Sequence, residues 1–281
     1  NYKITRSFML NREEYIEQSY FFEVISKRLP ENIPMQEILE QLRAETLATT
    51  KLPMAIDYML AELKHSGTMY PAMQQLRHYF SPFQTYLMSE AESDRGRFDI
   101  RVAIEILQRE AEYRAKTPSR QGLFMYEFEA LCRNRLTYDQ GLAAIANDDH
   151  FDEHWKEWIL IVRRQIGIVE IADLIYARSW FFVNQQRQLG REVDLKDHSI
   201  LFDEKEGKVA FANRQNDPLY LFAALQRHLG YPTVPKPKPD DGSKQQILQM
   251  TRLLEQLSQR VKLLEEEQRG GFDLSNFYKK Q

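Results

Sequence analysis

Two histidines stand four residues apart in the stretch DDHFDEHWKEW, residues 148–158, and a glutamate directly precedes the second one. Written as H-x-x-E-H, residues 150–154 coincide with the inverted zinc-protease motif, in which two helical histidines bind zinc and the glutamate activates water. A four-residue spacing puts both imidazoles on one face of a helix. The stretch therefore defines one alternative hypothesis, a metal-dependent hydrolase with His150 and His154 as ligands and Glu153 as the catalytic residue.

The surroundings of this motif favour a structural role instead. Residues 147–149 are Asn-Asp-Asp, a typical helix start, and Asp152 and Glu153 would fall in the first turn, where the helix dipole favours acidic residues. The zinc motif also needs a third ligand, a glutamate well downstream, and no glutamate occurs between Glu206 and Glu255. We interpret the stretch as the start of a helix and expect no metal and no cofactor.

Other catalytic signatures are missing from the sequence. It contains no Walker-type loop, no G-x-S-x-G elbow and no paired C-x-x-C. The single cysteine, Cys132, has no neighbouring histidine partner and cannot form an internal disulfide. A lone cysteine fits a reducing compartment, so we expect a cytoplasmic location.

The charge balance argues against general binding to nucleic acid. Charged residues make up 28% of the chain, but the net charge is only -3, without the dense basic surface that such binding requires. The segment 178–191 mixes arginines with Trp180, Phe181 and Phe182, which leaves a nucleic-acid-associated regulator as a second alternative. Three adjacent aromatic residues on a helix cannot all be exposed, so core packing is the favoured interpretation.

The most apolar stretch, residues 166–183, is not expected to span a membrane. Glu170, Asp173 and Arg178 lie within it, and charges at the centre of a bilayer are costly. We interpret this stretch as a central helix of the protein's own core.

Helical periodicity dominates residues 1–231, the predicted body. Asn11 is a good N-cap for a first helix, and Gly67 and Gly230 are typical of helix ends. Two short apolar runs, 200–202 and 209–211, flank a polar turn with Gly207 and predict a small β-hairpin near residues 200–212. The expected fold class is mainly α, a multi-helix globular body with this one hairpin.

The composition changes sharply after residue 231. Four prolines between Pro232 and Pro239 predict a proline-rich linker over residues 232–243. Residues 244–269 predict a short coiled-coil helix, because apolar residues alternate at spacings of three and four, as the a and d positions of heptads do. These positions are Ile247, Met250, Leu254, Leu257, Val261 and Leu264.

A coil of about three heptads is marginally stable on its own and has to pack on another surface. Arg260 at a g position and Glu265 at the following e position would attract each other across a parallel dimer. Leu253, at another g position, widens the apolar stripe and also suits a higher oligomer or docking onto the protein's own body. The linker favours association over docking.

Residues 270–281 form the predicted flexible tail. Two glycines precede the apolar residues Phe272, Leu274, Phe277 and Tyr278, a spacing typical of a short docking peptide. The alternative is a tail that packs locally or frays.

The sequence thus favours a non-catalytic scaffold, adaptor or regulatory protein that binds other proteins. We expect it to form a homo-oligomer through the C-terminal coiled coil.

Overall fold

The computed structural model describes residues 10–93, 98–191, 199–237 and 250–261. The expectation of a mainly α-helical protein is confirmed, and no β-strand is found in these ranges. The helices are α1 (Arg12–Arg28), α2 (Met35–Glu45), α3 (Leu52–Ser66), α4 (Tyr70–Gln75), α5 (Pro82–Ala91), α6 (Ile100–Arg114), α7 (Arg120–Arg133), α8 (Tyr138–Ala146), α9 (Glu153–Gln165), α10 (Ile171–Ala177), α11 (Trp180–Gln188), α12 (Glu204–Ala212) and α13 (Pro218–Leu229), with a 3₁₀ turn over Leu29–Glu31. A further helical segment, 250–261, is called the C-terminal helix below.

The core of the body forms where α1 packs lengthwise on α6, with α7, α8 and α9 behind them. Phe21, Phe22 and Ile25 of α1 are buried because they recur at helical spacing on one face. Behind them, Phe124 of α7 stacks on Phe128 and contacts Trp158 of α9 edge-on. Burial of such large rings is the main source of the body's stability.

Helix ends follow local sequence rules. The Ser81 side chain accepts a hydrogen bond from the Gln84 N–H, the Gln84 side chain accepts from the Ser81 N–H, and Pro82 occupies the first turn of α5. Asn11 is the N-cap residue of α1, as the sequence predicts. Gly67 and Gly230 end α3 and α13 at φ +74° and +70°, in the left-handed region that glycine adopts without strain.

The predicted β-hairpin near residues 200–212 is wrong. Residues 204–212 are helix α12, which starts after Asp203, and the Glu206 side chain accepts a hydrogen bond from the Asp203 N–H. Of the first apolar run, Phe202 forms one isolated bridge with Ser179. The acidic residues at the start of α12 favour a helix over a hairpin, because Asp203 and Glu206 have the spacing of a capping box.

Gly207 has a different role from the predicted turn. A Cβ at this position would lie 2.2 Å from the Ser179 Oγ and 2.7 Å from the Phe181 Cβ. The absence of a side chain lets α12 approach the start of α11 closely. Gly207 therefore serves packing between two helices and not a turn.

The apolar stretch 166–183 is two short helices rather than one. A turn with Gly167 at φ +90° separates α9 from α10, and Ser179 caps α11 through a hydrogen bond from the Phe182 N–H. Among the described residues, no helix is long and apolar enough to cross a membrane.

The first residues after α13 run across the body. Tyr231 is buried, and its hydroxyl donates to Glu129 Oε2 at 2.7 Å. Farther along, Arg109 donates to the Thr233 carbonyl at 2.5 Å, and Asn134 donates to the Pro235 carbonyl at 3.1 Å. Residues 231–237 are therefore fastened to α6 and to the end of α7.

Candidate functional site

The histidine stretch does not have the geometry that the zinc motif needs. α9 begins at Glu153, with the Asp152 side chain accepting from the Trp155 N–H, so the helix starts later than the sequence predicts. His150 therefore precedes the helix, while His154 lies in its first turn and its Nδ1 is 2.9 Å from the Ser199 Oγ. The two imidazoles do not share a helical face.

Their environments differ as well. Burial and the nearby Arg114 lower the pKa of His150 to about 4, which keeps this imidazole neutral. Glu153 is highly exposed and pairs with Lys156 at 3.3 Å. Within the described ranges, no group of three or more His, Cys, Asp or Glu side chains is arranged to hold a metal ion.

Cys132 and the aromatic-basic segment also lack reactive or open geometry. Burial raises the pKa of the Cys132 thiol to about 12, so it stays protonated. In the segment 178–191, Phe181 and Phe182 pack edge-on against Tyr176. Trp180 is exposed, whereas Phe181 and Phe182 are half-buried and pack against the core.

A buried ion cluster, which the sequence did not reveal, lies at the centre of the body. The Arg114 Nε donates to Glu110 Oε1 at 2.7 Å, and its Nη2 donates to Glu127 Oε1 at 3.0 Å and to Asp148 Oδ2 at 2.5 Å. All four side chains are almost completely buried. Three carboxyl groups thus surround one guanidinium.

Burial works against an excess of negative charge in this cluster. It raises the pKa of both Glu110 and Glu127, which favours the protonated, neutral form of each carboxyl. Asp148 has a different setting, since its Oδ1 accepts the His150 N–H at 2.8 Å. The sequence signal was the presence of Glu127 and Glu129 inside the otherwise apolar run LFMYEFEALC.

A cavity of about 580 Å³ adjoins the cluster. Arg114 and Asp148 line it together with Tyr15, Tyr86 and His78, whereas Glu110 and Glu127 do not reach it. The carboxyls with raised pKa are therefore enclosed and offer no general acid to a bound molecule. The arrangement neutralises charge inside the fold.

The C-terminal helix presents the opposite arrangement. Its apolar residues are exposed, and its polar face is turned to the body. The exposed fractions are 65% for Met250, 50% for Leu253, 65% for Leu254, 55% for Leu257 and 51% for Val261. Met250, Leu254, Leu257 and Val261 are four of the predicted heptad positions; we call them the seam. Ile247 and Leu264 lie outside the described residues, as do the predicted tail anchors Phe272, Leu274, Phe277 and Tyr278.

The opposite face of this helix contacts the body through polar side chains. Arg252 Nη1 donates to the Ala91 carbonyl at 2.7 Å, and Gln259 Nε2 donates to Gln36 Oε1 at 3.3 Å. The body therefore does not cover the seam.

Comparison of the chain with protein-family models, with curated proteins and with solved structures finds no match.

Proposed function

We propose that this protein is a non-catalytic scaffold, adaptor or regulatory protein that self-associates through its C-terminal helix. The observation that supports this function is the exposure of the seam while the polar face of the same helix lies on the body. Apolar side chains aligned at heptad spacing on an exposed helix face lose contact with water when a second such face covers them.

A second copy of this chain is the partner that fits the seam best. Two identical helices bring like a and d positions together, and each Leu that becomes fully buried contributes roughly 1.5–3 kcal/mol. In a parallel pair, Arg260 at g would face Glu265 at the following e position of the other copy. This pair of opposite charges therefore favours parallel self-association of the two helices.

The single cysteine is compatible with this function in the cytoplasm, the location that we propose. Cys132 is half-buried with a raised pKa, so it provides neither a disulfide nor a reactive thiol.

Sedimentation velocity over a wide concentration range tests the proposed function. We expect the wild-type chain, at 33.4 kDa per copy, to shift to a larger species as the concentration rises. The double variant Leu254→Asp/Leu257→Asp should remain a single chain, because a charge at the core of a coiled coil cannot be buried without a partner. A wild-type chain that stays at one copy throughout contradicts the proposal.

The matched control is Leu189→Asp. Leu189 is 67% exposed and lies at the end of α11, outside the seam. This variant should associate as the wild type does. Loss of association in both variants would mean that the seam is not the specific contact.

A further inference from the structure

The body carries a preformed seat for the polar face of the C-terminal helix. Glu92, buried just after α5, accepts hydrogen bonds from the N–H groups of Met69 and Tyr70, each at 2.8 Å. The Arg252 Nη2 lies 3.4 Å from the other carboxyl oxygen of Glu92, and the Arg252 Nη1 holds the Ala91 carbonyl. One arginine of the helix thus binds both a charge and a backbone carbonyl of the body.

Gly67 provides the second contact of the seat. A Cβ at Gly67 would lie 2.9 Å from the Cγ of Gln256 and 3.5 Å from its Cβ. The end of α3 and the C-terminal helix are therefore in direct contact. A third contact, between Gln36 and Gln259, extends the seat by one more turn.

These contacts fix the rotation of the helix about its own axis. Arg252, Gln256 and Gln259 occupy the f, c and f positions of the heptads, on the side opposite the a and d positions of the seam. A helix held by its f and c positions has to present its seam outward.

We propose that the C-terminal helix remains on the seat of its own chain while two copies pair, and that the Arg252–Glu92 contact sets the helix orientation. The inference rests on the self-association proposed above. Its partner is a second copy, whose own seated helix covers the seam. The pair then consists of two bodies on opposite sides of two parallel helices, which meet seam against seam.

Electrostatics favours an occupied seat. Glu92 is buried, and burial raises its pKa, while Arg252 is the cation that stabilises its carboxylate. Removal of the helix would take this cation away from the carboxylate, whereas pairing with the helix in place keeps the contact.

A disulfide between positions 67 and 256 tests whether the seated helix can pair. In the double variant Gly67→Cys/Gln256→Cys, the 3.5 Å between the two Cβ positions falls within the range of disulfides. The native Cys132 does not compete, because burial keeps it protonated. We expect oxidation to give a bond within one chain, identified by peptide mass spectrometry, and an oxidised protein that associates within about threefold of the affinity of the reduced one.

Two results would overturn the inference. An oxidised chain that stays single while the reduced chain associates would show that the helix has to leave the seat to pair. A bond that forms between chains would show that the second copy fills the seat. The wild-type chain, measured alongside, separates the two hypotheses. If the wild type does not associate, the proposed function fails and this inference fails with it. If only the oxidised variant fails to associate, the inference alone is overturned.

The role of Arg252 is tested in the same double-cysteine background. Adding Arg252→Gln should slow formation of the bond between positions 67 and 256 by about tenfold, because a charge-assisted contact no longer holds the helix. Adding Arg260→Gln is the matched control, since Arg260 is exposed on the same helix and does not contact the seat. Equal rates in the two triple variants would show that Arg252 does not orient the helix.

Discussion

Around Arg114 the protein encloses charge, whereas along the C-terminal helix it exposes apolar side chains. The enclosed charges are compensated within the chain, since one guanidinium holds three carboxyl groups. The exposed apolar residues of the seam have no such compensation among the described residues. Both regions reverse the usual distribution of polarity, but only the second needs another surface. The difference separates a stability element from an interaction surface.

Removal of the central cation should have the largest effect. Arg114→Met leaves Glu110, Glu127 and Asp148 buried without their counter-charge, and we expect the free energy of unfolding to fall by about 3–5 kcal/mol. Urea denaturation followed by circular dichroism measures this loss. The control, Arg163→Met, removes an exposed pair with Asp139 and should leave the unfolding midpoint unchanged. An unchanged midpoint for Arg114→Met would mean that the cluster does not support the fold.

The same leucine truncation should act differently in the two regions. Leu107→Ala creates a cavity in the core beside Glu110 and should destabilise the body by about 2–5 kcal/mol at every protein concentration. Leu254→Ala should leave the stability of the single chain unchanged and weaken only association. Thermal unfolding at several concentrations distinguishes the two. A concentration-independent loss for Leu254→Ala would place the seam residue in the core.

Acid should act on the cluster through His150. Its folded pKa of about 4 lies below the unfolded value of about 6.5, so the unfolded state binds the proton more readily. The stability that depends on neutral His150 is present above pH 6.5 and is lost as the pH falls towards 4, on the order of 1–3 kcal/mol. His150→Leu should flatten this part of the stability profile. An identical profile for the variant and the wild type would exclude His150 as the cause.

Raising the pH should lower the stability of the protein through Glu127, and this loss should be smallest at mildly acidic pH. Because burial raises its folded pKa, the stability from protonated Glu127 is present at low pH and lost as the pH rises through that pKa. Glu127→Gln imitates the protonated carboxyl. It should match the wild type near pH 5 and become relatively more stable as the pH increases. Parallel profiles at high pH would contradict a protonated Glu127.

Local signals in the sequence predicted the helical elements well. Asn11 as the cap of α1 and Gly67 and Gly230 as helix ends were all correct, because each depends on a few neighbouring residues. The heptad spacing of residues 250–261 does coincide with a helix, whereas its pairing in a coiled coil stays a prediction.

Features that depend on distant residues could not be predicted in the same way. Gly207 is needed because of Ser179, twenty-eight positions earlier in the chain, and no turn signal carries that information. The ion cluster joins residues from α6, α7 and the segment before α9. Nor could periodicity show which face of the C-terminal helix meets the body, since this depends on Glu92.

Residues 231–237, fastened to α6 and α7, also act as the anchor of a short tether. Twelve residues, 238–249, join this anchor to the C-terminal helix. A tether of such length keeps the helix at an effective concentration in the millimolar range near its seat. Contacts that would be far too weak to hold a free peptide can therefore keep this helix on the body. The short connection therefore compensates by proximity for a seat that makes few contacts.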